Sequence, residues 1–280
     1  LGYSFGYPEQ STASVELSGE HQIEHALIRI GAADVGQGTH LALRQIAAET
    51  LGLSFEQVHL LSDDSSQTPN AGSASASRLT LMAGRAVQEA ARSALRLWHE
   101  EERPARATVQ YRPPATTALD PHTGYGRPNY CYGYVAQAVE VDVNTLTGNV
   151  QVRRVISVHD VGRVINRQQV EGQIEGCLAQ ALGYALLEHL QIAEGRILTP
   201  HLSSYLLPTT LDMPDEIIPI ILEEADPNGP FGARGMAEMP LVPLAAAISN
   251  AIADATGARL TEQPMTPERV LDAIIAGSPE

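Results

Sequence analysis

A carboxylate at position 238 closes the stretch Gly229-Pro230-Phe231-Gly232-Ala233-Arg234-Gly235-Met236-Ala237-Glu238-Met239-Pro240. A carboxylate that ends a three-glycine loop and runs directly into apolar sequence is expected to be partly desolvated, the condition that makes it a usable proton acceptor. The plainer alternative is an ion pair between Glu238 and Arg234 that only locks the loop.

Two further segments offer backbone and hydroxyl groups to a ligand. In Asp34-Val35-Gly36-Gln37-Gly38-Thr39-His40, the glycines let the chain turn sharply between a strand and a helix, and their N–H groups are expected to point outward toward an anionic or carbonyl-rich ligand. It is not a dinucleotide fingerprint, because Leu41 stands where a third Gly or Ala would be needed. Asn70-Ala71-Gly72-Ser73-Ala74-Ser75-Ala76-Ser77-Arg78 is a run of small residues ahead of an Ala-rich helix. Hydroxyls and amides there could hold a phosphate or a pterin edge, and the bland reading is a flexible loop ending in a Ser N-cap. The run contains no nucleophile elbow, so its serines do not argue for a hydrolase.

These segments need elements to carry them. Residues 13–31 read as two strands around Ser18-Gly19-Glu20, followed by a helix with Leu43, Ile46, Ala47 and Leu51 at helical spacing and Gly52 as its stop. Phe55–Ser62 reads as a strand, and Leu79–Trp98 as a long helix burying Val87, Ala91, Ala94, Leu95 and Trp98. Residues 112–130, dense in Pro, Gly, Thr and Asp, form a linker or long loop. Tyr132–Val143 and Asn149–Val158 alternate around Asn144-Thr145-Leu146-Thr147-Gly148 as a hairpin. In the helix Gln168–Glu188, an apolar stripe from Val170 to Ala185 lies beside a face of Gln173, Gly176, Gln180 and Gly183 that leaves room for close approach. A strand at Ile217–Leu222 precedes the Gly-rich loop, and two helices end the chain, the second with Thr266 as N-cap and Pro267 at its first position.

At 280 residues and 44% hydrophobic, the chain can build one large domain or two smaller ones, of mixed α/β (α+β) class, with a boundary near residue 120 that gives subdomains 1–118 and 119–280. All 18 basic residues are Arg, and a net charge of -15 speaks against a nucleic-acid partner. Two cysteines, Cys131 and Cys177, read as buried free thiols of a reducing, cytoplasmic compartment, and they cannot ligate an iron–sulfur cluster by themselves. The nine histidines read as scattered surface or capping residues rather than metal ligands, and no apolar run approaches a membrane span.

The segments at 34–40, 70–78 and 229–240, in that order along the chain, together with Val170-Glu171-Gly172-Gln173-Ile174-Glu175-Gly176, resemble the second, C-terminal molybdopterin-binding domain of the xanthine dehydrogenase/aldehyde oxidase family. Gly84-Arg85-Ala86-Val87, His159-Asp160-Val161-Gly162, Asp212-Met213-Pro214 and Pro264-Met265-Thr266-Pro267-Glu268 extend the likeness over nearly the whole chain. The resemblance implies that Gln37, flanked by Gly36 and Gly38, lies beside the molybdenum and its pterin. It also implies that Ser75, Ala76, Ser77 and Gln173 hold the cofactor, and that Glu238 is the catalytic base. Phe5 would match a substrate-stacking aromatic. The metal would be held by the pterin dithiolene, in molybdopterin or its cytosine dinucleotide form, with no protein ligand.

The implied reaction is hydroxylation of a heteroaromatic or aldehyde carbon of a small molecule with water as oxygen source. Its electrons would leave through iron–sulfur and FAD (flavin) partner subunits or domains of a multi-subunit complex. The family's first molybdenum-binding domain is absent, so the chain is expected to be inactive without that half. A natural medium subunit of a split enzyme and a cofactor-less scaffold domain are the rival readings. Ala237, standing where the family has Gly, is the departure closest to the base.

Overall fold

A computed structural model describes residues 9–277. Phe5 lies outside the described residues. The described residues divide into two compact units interleaved along the sequence: 9–133, 160–170 and 223–236 form the first, and 134–159, 171–222 and 237–277 the second.

The first unit is a sheet covered by two helices. Strands β1 (Ser11–Ser18) and β2 (His25–Arg29) pair antiparallel with Val15 opposite Ile28, around the polar turn expected from the sequence. Helix α1 (Thr39–Leu51) carries the chain over to β3 (Val58–Leu61), which pairs parallel to β2, Ile28 opposite Leu60. Leu43, Ala47 and Leu51 form its buried stripe, and Gly52 ends it in the left-handed conformation. Phe55–Gln57, expected as the start of a strand, winds instead as a 3₁₀ turn. The Gln57 side chain explains the difference: its Oε1 accepts from the Ser54 N–H at 3.1 Å, while its Nε2 donates to Ile23 and Glu24 carbonyls.

Helix α2 (Leu79–His99) lies on this sheet, and its buried face is wider than the expected stripe, taking in Met82, Ala83, Ala86, Gln88 and Ala90 as well, while Leu95 is only half-buried. Small alanines allow that close seat. After Pro104 the chain returns as β4 (Ala105–Tyr111), antiparallel to β1 and completing the order β3-β2-β1-β4. That strand is an addition to the sequence reading, although Ala105, Ala107, Val109 and Tyr111 alternate with polar residues in the period of a strand. Residues 112–133 follow without a strand or helix, apart from a single Thr117–Arg127 bridge.

In the second unit, β5 (Tyr134–Val143) and β6 (Val150–Asp160) are joined through the Asn144–Gly148 turn, where the Gly148 N–H donates to the Asn144 carbonyl at 2.8 Å. With β9 (Glu216–Leu222) they form a sheet ordered β5-β6-β9. Helix α3 (Arg167–Leu186) buries Ile174, Cys177, Leu178, Ala181, Leu182 and Ala185, as its apolar spacing requires. A hairpin of two short strands, β7 (Ile192–Ala193) and β8 (Arg196–Ile197), is a further addition. Helix α4 (Leu244–Thr256) packs on β5, and α5 (Pro267–Gly277) begins with Pro267 directly after Thr266.

Contrary to the sequence reading, one stretch, Met239–Thr256, is long and apolar enough to cross a membrane by length and composition. Its continuous helix covers only 13 residues, roughly 20 Å, short of the ~30 Å hydrocarbon core.

Candidate functional site

The loop of residues 34–40 is organised by its own carboxylate. Asp34 accepts from the N–H groups of Gly36 at 3.0 Å, Gly38 at 3.2 Å and His40 at 2.9 Å. Burial opposes its ionisation, but these donors outweigh burial and hold the carboxyl below the ordinary Asp range. The amides expected to face a ligand are therefore spent on Asp34.

Gln37 is likewise tied into the loop. Its Oε1 accepts from the Val35 N–H at 2.7 Å, and its Nε2 donates to the Ala33 carbonyl at 2.9 Å and to Thr39 Oγ1 at 3.0 Å. Gly38 caps α1 at φ 82°, left-handed backbone that favours glycine, and a Cβ there would displace the Gln169 amide.

The small-residue run leaves from beside the same sheet end. Gly31, continuing β2, bridges to Asn70, and its N–H donates to the Pro69 carbonyl at 2.8 Å. What shapes the run is Arg78, a buried residue that the sequence reading does not single out. Its guanidinium donates to the carbonyls of Ala71, Ser73 and Gln10, each at 3.0 Å, and pairs with Glu9 at 3.3 Å.

Around this anchor Ala76 and Ser77 take left-handed backbone, φ 54° and 52°, a conformation that costs a non-glycine residue on the order of 1–3 kcal/mol. The helix N-cap is Arg78 rather than a serine, and no side chain caps α2. Ser75–Ser77 is thus a fixed, strained turn at an uncapped helix N-terminus, not a flexible loop.

The Gly-rich loop meets this turn. A Cβ on Gly235 would collide with the Ser77 carbonyl oxygen, so the backbones of the 70–78 and 229–240 segments are in contact. Its lock is not the Arg234–Glu238 pair considered from sequence, because the Arg234 guanidinium lies 2.5 Å from Asp160 and 3.3 Å from Asp226. Asp226 accepts in addition from the Cys131 thiol at 3.2 Å. Burial, and then the Asp226 carboxylate, push that thiol up to about 12, which keeps it protonated.

In the second unit, Glu238 is exposed, not partly desolvated as the sequence suggests. The apolar residues that follow it, Met239 and Pro240, are buried, so the apolar stretch anchors the backbone without covering the carboxylate. The buried Cys177 lies below this segment and donates to the Ala237 carbonyl at 2.7 Å. Burial first, and the Glu238 charge second, raise the Cys177 thiol.

Gln173, half-buried, is one turn earlier on α3, which brings it and Glu238 to the same stretch of that helix. Gly176 beside it opens on free space, whereas Gly183, grouped with it from sequence, is filled by Glu188 and Pro208. Ala237 is not among the residues with positive φ, so its backbone does not call for glycine. Among the described residues, no three His, Cys, Asp or Glu side chains are grouped to hold a metal ion.

In the first unit the Ser75–Ser77 turn stands at the start of α2, whose N-cap makes no side-chain capping bond; in the second, Gln173 presents an amide one turn from a glycine that opens on free space. The profile of the molybdopterin cofactor-binding domain family matches residues 1–97 and 94–214. The aldehyde oxidoreductase of Megalodesulfovibrio gigas is 30% identical over 285 residues, covering 96% of this chain and 31% of that protein. A probable xanthine dehydrogenase polypeptide of Bacillus subtilis is 29% identical over 98% of this chain and 40% of its own length. The crystal structure of the aldehyde oxidoreductase from Desulfovibrio desulfuricans superposes with a TM-score of 0.85 at 33% identity, over 95% of this chain and 30% of that one. The chain thus spans about a third of the length of such relatives. It belongs to the molybdopterin cofactor-binding domain family, within the molybdenum-binding part of xanthine dehydrogenase/aldehyde oxidoreductase-type proteins.

Proposed function

We propose that this domain holds a molybdenum-carrying molybdopterin, or its cytosine dinucleotide form, through Gln37, the Ser75–Ser77 turn and Gln173. Glu238 then acts as the base in hydroxylating a heteroaromatic or aldehyde carbon with water as the oxygen source. The observation that carries this reading is the exposed Glu238 carboxylate, on a backbone pinned to the same stretch of α3 that bears Gln173. When bound, the cofactor supplies a two-electron sink at the metal, and no chain residue is needed as its ligand.

The chain's own residues orient and move a proton. The Ser75–Ser77 turn is held by Arg78 in a strained backbone, which sets the geometry in which it would meet the cofactor. Glu238 accepts, at a carboxylate oxygen, the proton released as oxygen passes to the substrate carbon. Its exposure here leaves it accessible to substrate, and the remaining two thirds of a full-length enzyme would cover it and exclude water. Electrons would leave through iron–sulfur and flavin modules on partner subunits or domains.

General-base assistance is worth about 10²–10⁴ in rate. Glu238→Gln in the full-length molybdenum enzyme should therefore lower kcat by at least about a hundredfold, with molybdenum and pterin contents unchanged. Wild-type turnover in that variant would remove Glu238 from the chemistry.

A further inference from the structure

Two backbone carbonyls flank Glu238, and each is held by a side chain from a different element of the second unit. On one side the Cys177 thiol of α3 donates to the Ala237 carbonyl at 2.7 Å. On the other, Gln137 Nε2 of β5 donates to the Pro240 carbonyl at 2.8 Å. Because that carbonyl can only accept, the nitrogen of the Gln137 amide must face it, which fixes the orientation of the whole amide.

The second hydrogen of Gln137 Nε2 goes to Ser157 Oγ at 2.8 Å, and Ser157 Oγ lies 2.7 Å from His159 Nε2. Ser157 Oγ, accepting from Gln137, thus links that amide to the imidazole of His159. Ser157 and His159 are both fully buried on β6, so the chain ends in the interior and cannot be remade by water.

We propose that Gln137 and Cys177 are positioning residues for Glu238, with Ser157 and His159 fixing Gln137 in turn. The proposal rests on the reading of Glu238 as the base, and it gives that exposed carboxylate a fixed backbone. The segment from Ala237 to Pro240 carries no cap from its own side chains, since Glu238 leads the following 3₁₀ turn without a side-chain capping bond. From outside, one donor ties it before the carboxylate and one after it. A base displaced by about 1 Å loses on the order of 10²-fold in rate, so such a pair of ties has a direct kinetic consequence.

The test uses the full-length holoenzyme and the variants Gln137→Leu, Cys177→Ala and Cys177→Ser. Amide hydrogen exchange over residues 236–242, read by mass spectrometry, reports the ties independently of turnover. Gln137→Leu and Cys177→Ala should speed exchange there by roughly three- to tenfold, the size one hydrogen bond carries. They should lower kcat by about 10- to 100-fold with KM and molybdenum content unchanged, and Cys177→Ser, which keeps a donor, should restore both readings. Unchanged exchange over 236–242 in both Gln137→Leu and Cys177→Ala would overturn the positioning role. Should Gln137→Leu fail to fold, the Cys177→Ala and Cys177→Ser pair decides alone. Faster exchange combined with normal turnover in Glu238→Gln would instead overturn the assignment of Glu238 as base and leave the two ties standing.

Discussion

Arg234 and Asp226 meet at 3.3 Å, with side chains only 9% exposed, and Asp160 closes on the other side of the same guanidinium at 2.5 Å. Asp226 and Arg234 are eight residues apart, and Asp160 comes from a distant part of the sequence. Around them the backbone closes as well: the Arg234 N–H donates to the Val161 carbonyl at 2.9 Å, and the Asp226 N–H to the Gly232 carbonyl at 3.0 Å. This cluster, together with the 3₁₀ turn at Pro230–Gly232, gives the Gly-rich loop its shape.

Removing one partner of such a buried group leaves an uncompensated charge. Arg234→Ala, stranding two carboxylates, should cost about 3–5 kcal/mol of unfolding free energy in urea. Asp226→Asn should cost less, because Asp160 still balances the guanidinium. A loss under ~1 kcal/mol for Arg234→Ala would place the cluster with ordinary surface pairs.

His159 sets a pH dependence of opposite sign to a paired histidine. Burial pushes its imidazole down to about 4 from an ordinary value near 6.5, so the folded state keeps it neutral where the unfolded chain would protonate it. Between those two values the unfolded state binds more protons, and stability rises with pH. The contribution is complete above about pH 6.5 and lost as pH falls through 4, to a total of roughly 3 kcal/mol at ~1.4 kcal/mol per pH unit. The stability difference between wild type and His159→Gln should therefore narrow across this window, and parallel curves would show that His159 is not buried neutral.

Asp34 should behave as the keystone of its loop. Asp34→Ala removes the acceptor of three N–H groups, at a cost of roughly 1–3 kcal/mol for each one left buried without a partner and less for those reaching water. Limited proteolysis should then cut between residues 34 and 40, where wild type resists. The carboxyl is held below the ordinary Asp range, so its contribution is present above about pH 4 and lost on further acidification. Equal protease resistance in Asp34→Ala would mean that Gln37, with its own three bonds, holds the loop unaided.

Much of the scaffold can be read from residue order. The α1 stripe ending at Gly52, the Asn144–Gly148 hairpin and the α3 stripe each follow from short-range periodicity and turn chemistry, which act within a few residues. What stays hidden depends on partners far apart in sequence. Arg78 looks like the end of a flexible run until its carbonyl partners at Gln10, Ala71 and Ser73 are in place. Local apolar sequence after Glu238 suggests desolvation, yet burial of Met239 and Pro240 anchors the chain and leaves the carboxylate outside. Glycines mark where backbones approach, but spacing alone does not say that the partner of Gly235 is Ser77.

That last contact separates two glycine-to-alanine differences only two positions apart. At Gly235 an added methyl would overlap the Ser77 carbonyl, and Ser77 cannot yield easily because it and Ala76 already sit in left-handed backbone beside the Arg78 anchor. Gly235→Ala should therefore destabilise by about 1–3 kcal/mol and displace the Ser75–Ser77 turn. In the full-length enzyme that displacement should appear as lower molybdenum and pterin content per protein. At position 237 the backbone accepts Ala without strain, and Ala237→Gly should cost no more than about 1 kcal/mol, from added freedom of the unfolded chain, with cofactor content unchanged. Thermal unfolding and molybdenum analysis of the two variants side by side would decide. Full cofactor loading in Gly235→Ala would mean that the Ser75–Ser77 turn does not hold the pterin.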